Sequence, residues 1–164
     1  MAMRITLQDT VRAVSKAKVL VQSTLPLFTR VVIGHAFIVA GLGKLRNIDA
    51  TIGFFASIGI PMPEMNATFI ATLELVGGAA LILGLGTRFF AALLASSMIV
   101  ALFTAHASEV WQALNLAGSP ALSDITAFVF LLFLGWLVAF GPGSLSADRV
   151  LAKAWLYGDS EPSG

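Results

Sequence analysis

Apolar residues along this chain gather into four long blocks instead of alternating with polar ones at short range. Residues 26–44, 66–86, 89–106 and 121–140 are the blocks. Each runs for about 18 to 21 residues, close to the ~20 that a helix rising ~1.5 Å per residue needs to cross a ~30 Å hydrocarbon core. Most of the stretches between them are short. The pattern predicts an all-α integral membrane protein, a four-helix bundle running up-down-up-down, with short interfacial helices at both termini.

The segments around the blocks complete the outline. Residues 1–25 mix Ile5, Leu7, Val11, Val14, Val19 and Leu20 with Arg12, Lys16 and Lys18. Such a basic amphipathic segment fits the anionic inner leaflet, and a plain basic tail that only sets topology is the alternative. Residues 47–65 are too polar to span. Phe54, Phe55, Ile58 and Ile60 before Pro61 and Pro63 predict a short helix at the outer interface, closed by the prolines. Trp111, in the third connector, and Trp155, near the end, are placed as interface anchors. Gly141-Pro142-Gly143 stops the fourth block, and Ser144 or Ser146 can cap a terminal helix. The chain therefore divides into a surface segment (1–25), a transmembrane domain (26–143), and a cytoplasmic helix with a flexible tail (144–164). Small residues at helical spacing, among them Gly34, Gly41, Gly77, Gly78 and Gly84, predict close helix–helix approach, which is how helices associate in lipid.

Composition agrees with this outline. Charged residues make up 12% of the chain, against about 25% in an ordinary soluble domain. A net charge of +1 gives no reason to expect nucleic acid. The positions of the ten Lys and Arg residues say more. Arg4, Arg12, Lys16, Lys18, Arg30, Arg88, Arg149 and Lys153 fall on one side of the predicted bundle, and only Lys44 and Arg46 on the other. That asymmetry predicts both termini in the cytoplasm. The long basic stretch before the first block and the lack of an A-x-A site argue against a cleavable signal. There is no cysteine, so internal disulfides, thiol redox pairs and thiolate metal sites are excluded.

Ionisable residues within or at the ends of the blocks are the candidates for chemistry, because each is costly in lipid and needs a partner or a cavity. Six qualify: Arg30, His35, Lys44, Glu74, His106 and Asp124. Glu74 lies near the middle of the second block. Arg30, Gly34, Phe37, Gly41 and Lys44 alternate by four and three on one helical face. If that stripe meets Glu74, then Lys44 and Arg30 bracket the carboxylate. Glu74 is then either a packing ion pair or a group that handles protons or orients a ligand. His106, Asp124 and Lys44 fall at one predicted depth and could rim an outward-facing pocket, while Asp124 also suits a plain N-cap. Arg88 is read as a lipid-phosphate anchor, as Arg30 is in the alternative to bracketing Glu74, and Trp111 and Trp155 as interface anchors. His35 and His106 lie about 13 Å apart in depth by sequence rise, which disfavours a haem between them. No metal cluster or catalytic residue can be named.

The stretch Arg30-x3-Gly34-x2-Phe37-x3-Gly41-x2-Lys44-Leu45 resembles the first-helix signature of the DoxX family of small bacterial membrane proteins. Phe54-Phe55 with Gly59-Ile60-Pro61-x-Pro63 resembles its first loop, and Glu74-Leu75-x-Gly77-Gly78 with Leu83-Gly84-Leu85-x-Thr87-Arg88 its second helix and turn. Gly141-Pro142-Gly143-Ser144-x-Ser146-x-Asp148 resembles its closing segment. The resemblance implies a four-helix protein of the bacterial inner membrane, linked to quinone or thiol-related oxidoreductases. The family's architecture is also similar to the vitamin K epoxide reductase bundle, whose chemistry runs on cysteines that this chain lacks.

The resulting expectation is an accessory membrane subunit of a quinone-linked oxidoreductase system, with a quinone or lipid held in the bundle and no cofactor bound covalently. The alternatives are a non-catalytic scaffold or assembly factor and a small-solute or proton pathway. Membrane lipid, redox or other proteins, and further copies of the chain are the expected partners.

Overall fold

The computed structural model describes residues 7–115 and 120–151. Among these every regular element is helical: α1 (Leu7–Arg46), α2 (Ile48–Ser57), α3 (Pro63–Leu83), α4 (Thr87–Phe103), α5 (Ala107–Leu114), a 3-10 turn (Leu122–Asp124) and α6 (Thr126–Phe140). A further helical turn begins at residue 147.

The expected boundary between residues 25 and 26 does not interrupt the helix: α1 runs through Pro26 as one helix of 40 residues. Proline removes one donor from the helix. That is a single bond in a long helix whose later half is held by packing on α3. Residues 7–25 are therefore helix continuous with the first block.

Two stretches are long and apolar enough to cross a membrane, Thr24–Arg46 and Pro63–Leu83. A third qualifies if Thr87–Phe103 and Ala107–Leu114, bent by 78° at their junction, count as one span. The fourth block is shorter than expected. Its helix, α6, has 15 residues, about 22 Å at ~1.5 Å per residue. The missing turn at its start is the 3-10 element, after which Ile125 is extended at φ −84° and ψ 103°.

Helices α1 and α3 run antiparallel, as their contacts require. On α1, a Cβ at Gly34 would lie 2.6 Å from the Gly78 carbonyl oxygen of α3, and one at Gly41 would lie 2.7 Å from the Ala71 carbonyl oxygen. Rising numbers on one helix thus meet falling numbers on the other. Phe37 of α1 packs against Phe130 of α6, with ring centroids 5.3 Å apart and the planes tilted by 52°. Leu102 near the end of α4 meets Ile125 and Ala127 at the start of α6. The four long helices share one core: Ile33 and Phe37 from α1, Leu81 from α3, Ala91 and Leu94 from α4, and Leu134 and Leu137 from α6.

Glycine is needed at the α3–α4 turn. Gly84 ends α3 at φ +72°, with its N–H bonded to Leu81 and that of Leu85 to Ala80. This left-handed cap satisfies the last carbonyls of the helix.

Candidate functional site

Lys44 lies in the last turn of α1, and Glu74 lies mid-way along α3. The antiparallel contact of the two helices at Gly41, Ala71 and Leu75 brings them together. The Lys44 ammonium donates to Glu74 Oε2 in a direct ion pair. The pair is lopsided: the Glu74 side chain is 4% exposed and that of Lys44 is 29% exposed. A carboxylate is thus sealed inside the helices, and its counter-ion opens to the surroundings on one side. An ammonium carries three donors, so Lys44 can serve a second acceptor while it holds Glu74.

Arg30 does not bracket Glu74. It is 1% exposed and turns to the far end of the bundle, where Nη1 donates to the Pro142 carbonyl at 2.6 Å and Nη2 to that of Leu145 at 2.7 Å. One rotamer cannot serve both ends, and the two free carbonyls after α6 take this guanidinium. Asp148 accepts from the Gly86 N–H at 2.7 Å and the Thr87 N–H at 3.2 Å, and its own N–H donates to the Gly84 carbonyl at 3.0 Å. Arg30 and Asp148 together clasp residues 142–148 over the α3–α4 turn. Gly84 leaves room for the clasp, since a Cβ there would meet Arg30 Nη1 at 2.6 Å and Ser146 Cβ at 2.8 Å.

The Asp148 contact is a feature the sequence reading missed. One signal was available: Gly86 occupies the N-cap position of α4 and offers no side-chain acceptor, so the orphan N–H groups there need a carboxylate from elsewhere.

The remaining candidates are not drawn together. His106 begins α5, with Nδ1 2.9 Å from Glu109 Oε2. Asp124 accepts from the Ala121 N–H at 2.9 Å, which closes the 3-10 turn; Ile125 takes the N-cap position of α6. Both residues are occupied locally, so no shared rim with Lys44 forms through direct contacts. His35 is exposed on α1. Arg88 lies against the end of α6, its Nη2 3.4 Å from the Ala139 carbonyl. Trp111 is exposed. Ser146 is the serine that caps the terminal turn, with its Oγ accepting from the Arg149 N–H at 3.3 Å. Trp155, Lys153, Arg4 and the rest of the expected terminal helix and tail lie outside the described residues. Among the described residues no group of three metal-ligating side chains forms.

Among the described residues these features define a helical membrane protein with an ion pair, buried on its Glu74 side, across its first two long helices. Residues 25–107 match the DoxX family model, and the chain belongs to that family. It is 42% identical over 78 residues to CatD of Bacillus subtilis, provisionally named an oxidoreductase, a match covering 48% of this chain and 57% of CatD. The inner membrane protein YphA of Escherichia coli is 29% identical over 124 residues, covering 75% of this chain and 87% of YphA. An uncharacterized membrane protein of Mycobacterium tuberculosis is 32% identical over 132 residues, covering 76% of this chain and 79% of the relative. No solved structure is a significant match.

Proposed function

We propose that this chain is a membrane subunit of a quinone-linked oxidoreductase system, and that the Lys44–Glu74 pair receives the head group of a quinone. In this reading the four long helices all span the membrane, α6 as a short span, and the Arg30 end faces the cytoplasm. The observation that carries the proposal is the half-open ion pair. A quinone carbonyl needs a hydrogen-bond donor, and Lys44 has donors to spare on its exposed side. Glu74, sealed behind Lys44, anchors the ammonium that meets the head group. The donor set fits the group. When bound, the quinone supplies the redox chemistry. The chain's own residues orient it and hold or release a proton at the Glu74 carboxyl.

Electrons come from a partner protein in this reading, since the chain has no thiol of its own. The oxidoreductase name of CatD supports the redox association, with the match spanning only 57% of that relative. The family's inner-membrane members support the location.

Purification in native lipid followed by mass spectrometry tests the reading. Quinone should accompany the wild-type chain and be lost from Lys44→Met. Stable co-purifying proteins without quinone would favour the scaffold, and a partner-free chain that moves protons across liposomes would favour the pathway; either result overturns the proposal.

A further inference from the structure

Helix α1 has a second face that the bundle does not use. Its bundle face carries Arg30, Ile33 and Phe37, all buried. Val11, Val14, Leu25, Phe28 and Val32 are instead exposed, at 66%, 62%, 45%, 67% and 47%. Their spacing follows one register of alternating threes and fours. In the sequence, Leu7, Lys18 and Val21 occupy the intervening positions of that register. The result is a heptad seam with d positions at 7, 14, 21 and 28 and a positions at 11, 18, 25 and 32. Arg30 lies beside Gly84 of the α3–α4 turn. Residues 7–23 precede the candidate span Thr24–Arg46 and amount to about 26 Å of helix at ~1.5 Å per residue.

The flanking residues say what fits this seam. At the e and g positions stand Gln8, Thr10, Ser15, Ala17, Gln22 and Thr24, none of them charged. Asp9, Arg12 and Lys16 fall at the f and b positions on the opposite side. A charged partner would find nothing to pair with at these flanking positions, and an identical chain would meet like charge only at Lys18 within the seam. Two copies inserted in one membrane share one orientation, so their seams meet parallel without further adjustment. Lys18 is the single polar residue in the seam, the kind of a-position residue that specifies register and strand number at some cost in stability.

We infer that residues 7–28 pair with the same segment of a second copy, as a parallel, in-register two-stranded coiled coil. The inference is independent of any quinone at Lys44 and Glu74.

Single cysteines test it cleanly, because the chain has none of its own. Val11→Cys, Val14→Cys and Arg12→Cys are prepared in the full-length protein, in proteoliposomes, and oxidised mildly. The expected result is disulfide dimer at positions 11 and 14, several-fold above that at 12. Equal cross-linking at all three, preference for 12, or none at all overturns the inference. Protection of positions 11 and 14 from a water-soluble maleimide in place of cross-linking also overturns it, in favour of a helix lying on the membrane. A second measurement uses Lys18→Val, which should raise the dimer fraction at a fixed protein-to-lipid ratio; an unchanged or lower fraction counts against the seam.

Discussion

The unequal burial of Lys44 and Glu74 makes a quantitative prediction about which partner matters more to stability. Removing the lysine with Lys44→Met leaves Glu74 4% exposed and without its ammonium. Breaking a buried pair so that one charge is stranded costs about 3–5 kcal/mol. Removing the acid with Glu74→Gln strands much less. Lys44 is 29% exposed and lies in the last turn of α1, where its stem can carry the ammonium toward the interface. The glutamine amide oxygen still accepts a hydrogen bond. The loss should be about 1 kcal/mol, the scale of one net hydrogen bond. The double variant Lys44→Met with Glu74→Leu removes both charges and should return to near wild-type stability, because apolar replacement of a buried pair is often neutral or stabilising by about 1–4 kcal/mol. Unfolding in mixed micelles by titration with sodium dodecyl sulfate, followed by tryptophan fluorescence, reads all three. The reasoning is refuted if Glu74→Gln costs as much as Lys44→Met, or if the losses in the double variant simply add.

Three further outcomes follow from the packing and the clasp. Gly34→Leu should destabilise by at least the ~1–3 kcal/mol of an overpacked core, because the Gly78 carbonyl lies only 2.6 Å from where its Cβ would stand; Gly135→Leu, with nothing within 4 Å of its Cβ position, should be silent in the same melt. Asp148→Ala should cost about 0.5–2 kcal/mol, as lost helix caps do, and should speed hydrogen exchange at the Gly86 and Thr87 amides. Arg30→Lys should fail to restore what Arg30→Met loses, since a point-like ammonium does not reproduce the fork that reaches Pro142 and Leu145 together; protease cleavage within residues 142–148 is the readout.

The long elements were legible because lipid-crossing helices leave a signal in composition alone. Residues 66–86 and the first block needed little beyond run length, and α3 and the latter half of α1 fall on them. The Lys44–Glu74 contact was legible as well, from two stripes at helical spacing and the cost of an unpaired carboxylate in an apolar block. What sequence spacing could not provide was the choice among partners. Arg30 shares the face of Lys44, yet its guanidinium meets carbonyls more than a hundred positions away in the chain. Those acceptors exist only once the Gly141–Gly143 stretch has turned the backbone over the α3–α4 loop. The start of α6 was misjudged for a related reason. Apolar content continues through Ala121 and Leu122, but Asp124 bonds back to the Ala121 N–H and winds those residues into a 3-10 turn instead. A local side-chain bond of that kind competes with helix and leaves no trace in hydropathy.

The polar groups inside this protein also differ in what the fold requires of them. Arg30 and Asp148 satisfy backbone groups that no other side chain reaches among the described residues: two carbonyls after α6 and two amides at the start of α4. Take them away and the fold has orphan groups to hydrate. Lys44 and Glu74 stand otherwise. Their side chains satisfy each other, and the helices around them already meet through Gly34, Gly41 and Gly78. An apolar pair of similar volume would hold α1 against α3 without placing charge in lipid. A buried ion pair that stability does not demand is best explained by something it does. That is why the search for a ligand belongs at the Lys44 end, and why the double variant is informative. It should fold as well as the wild type and bring down no quinone.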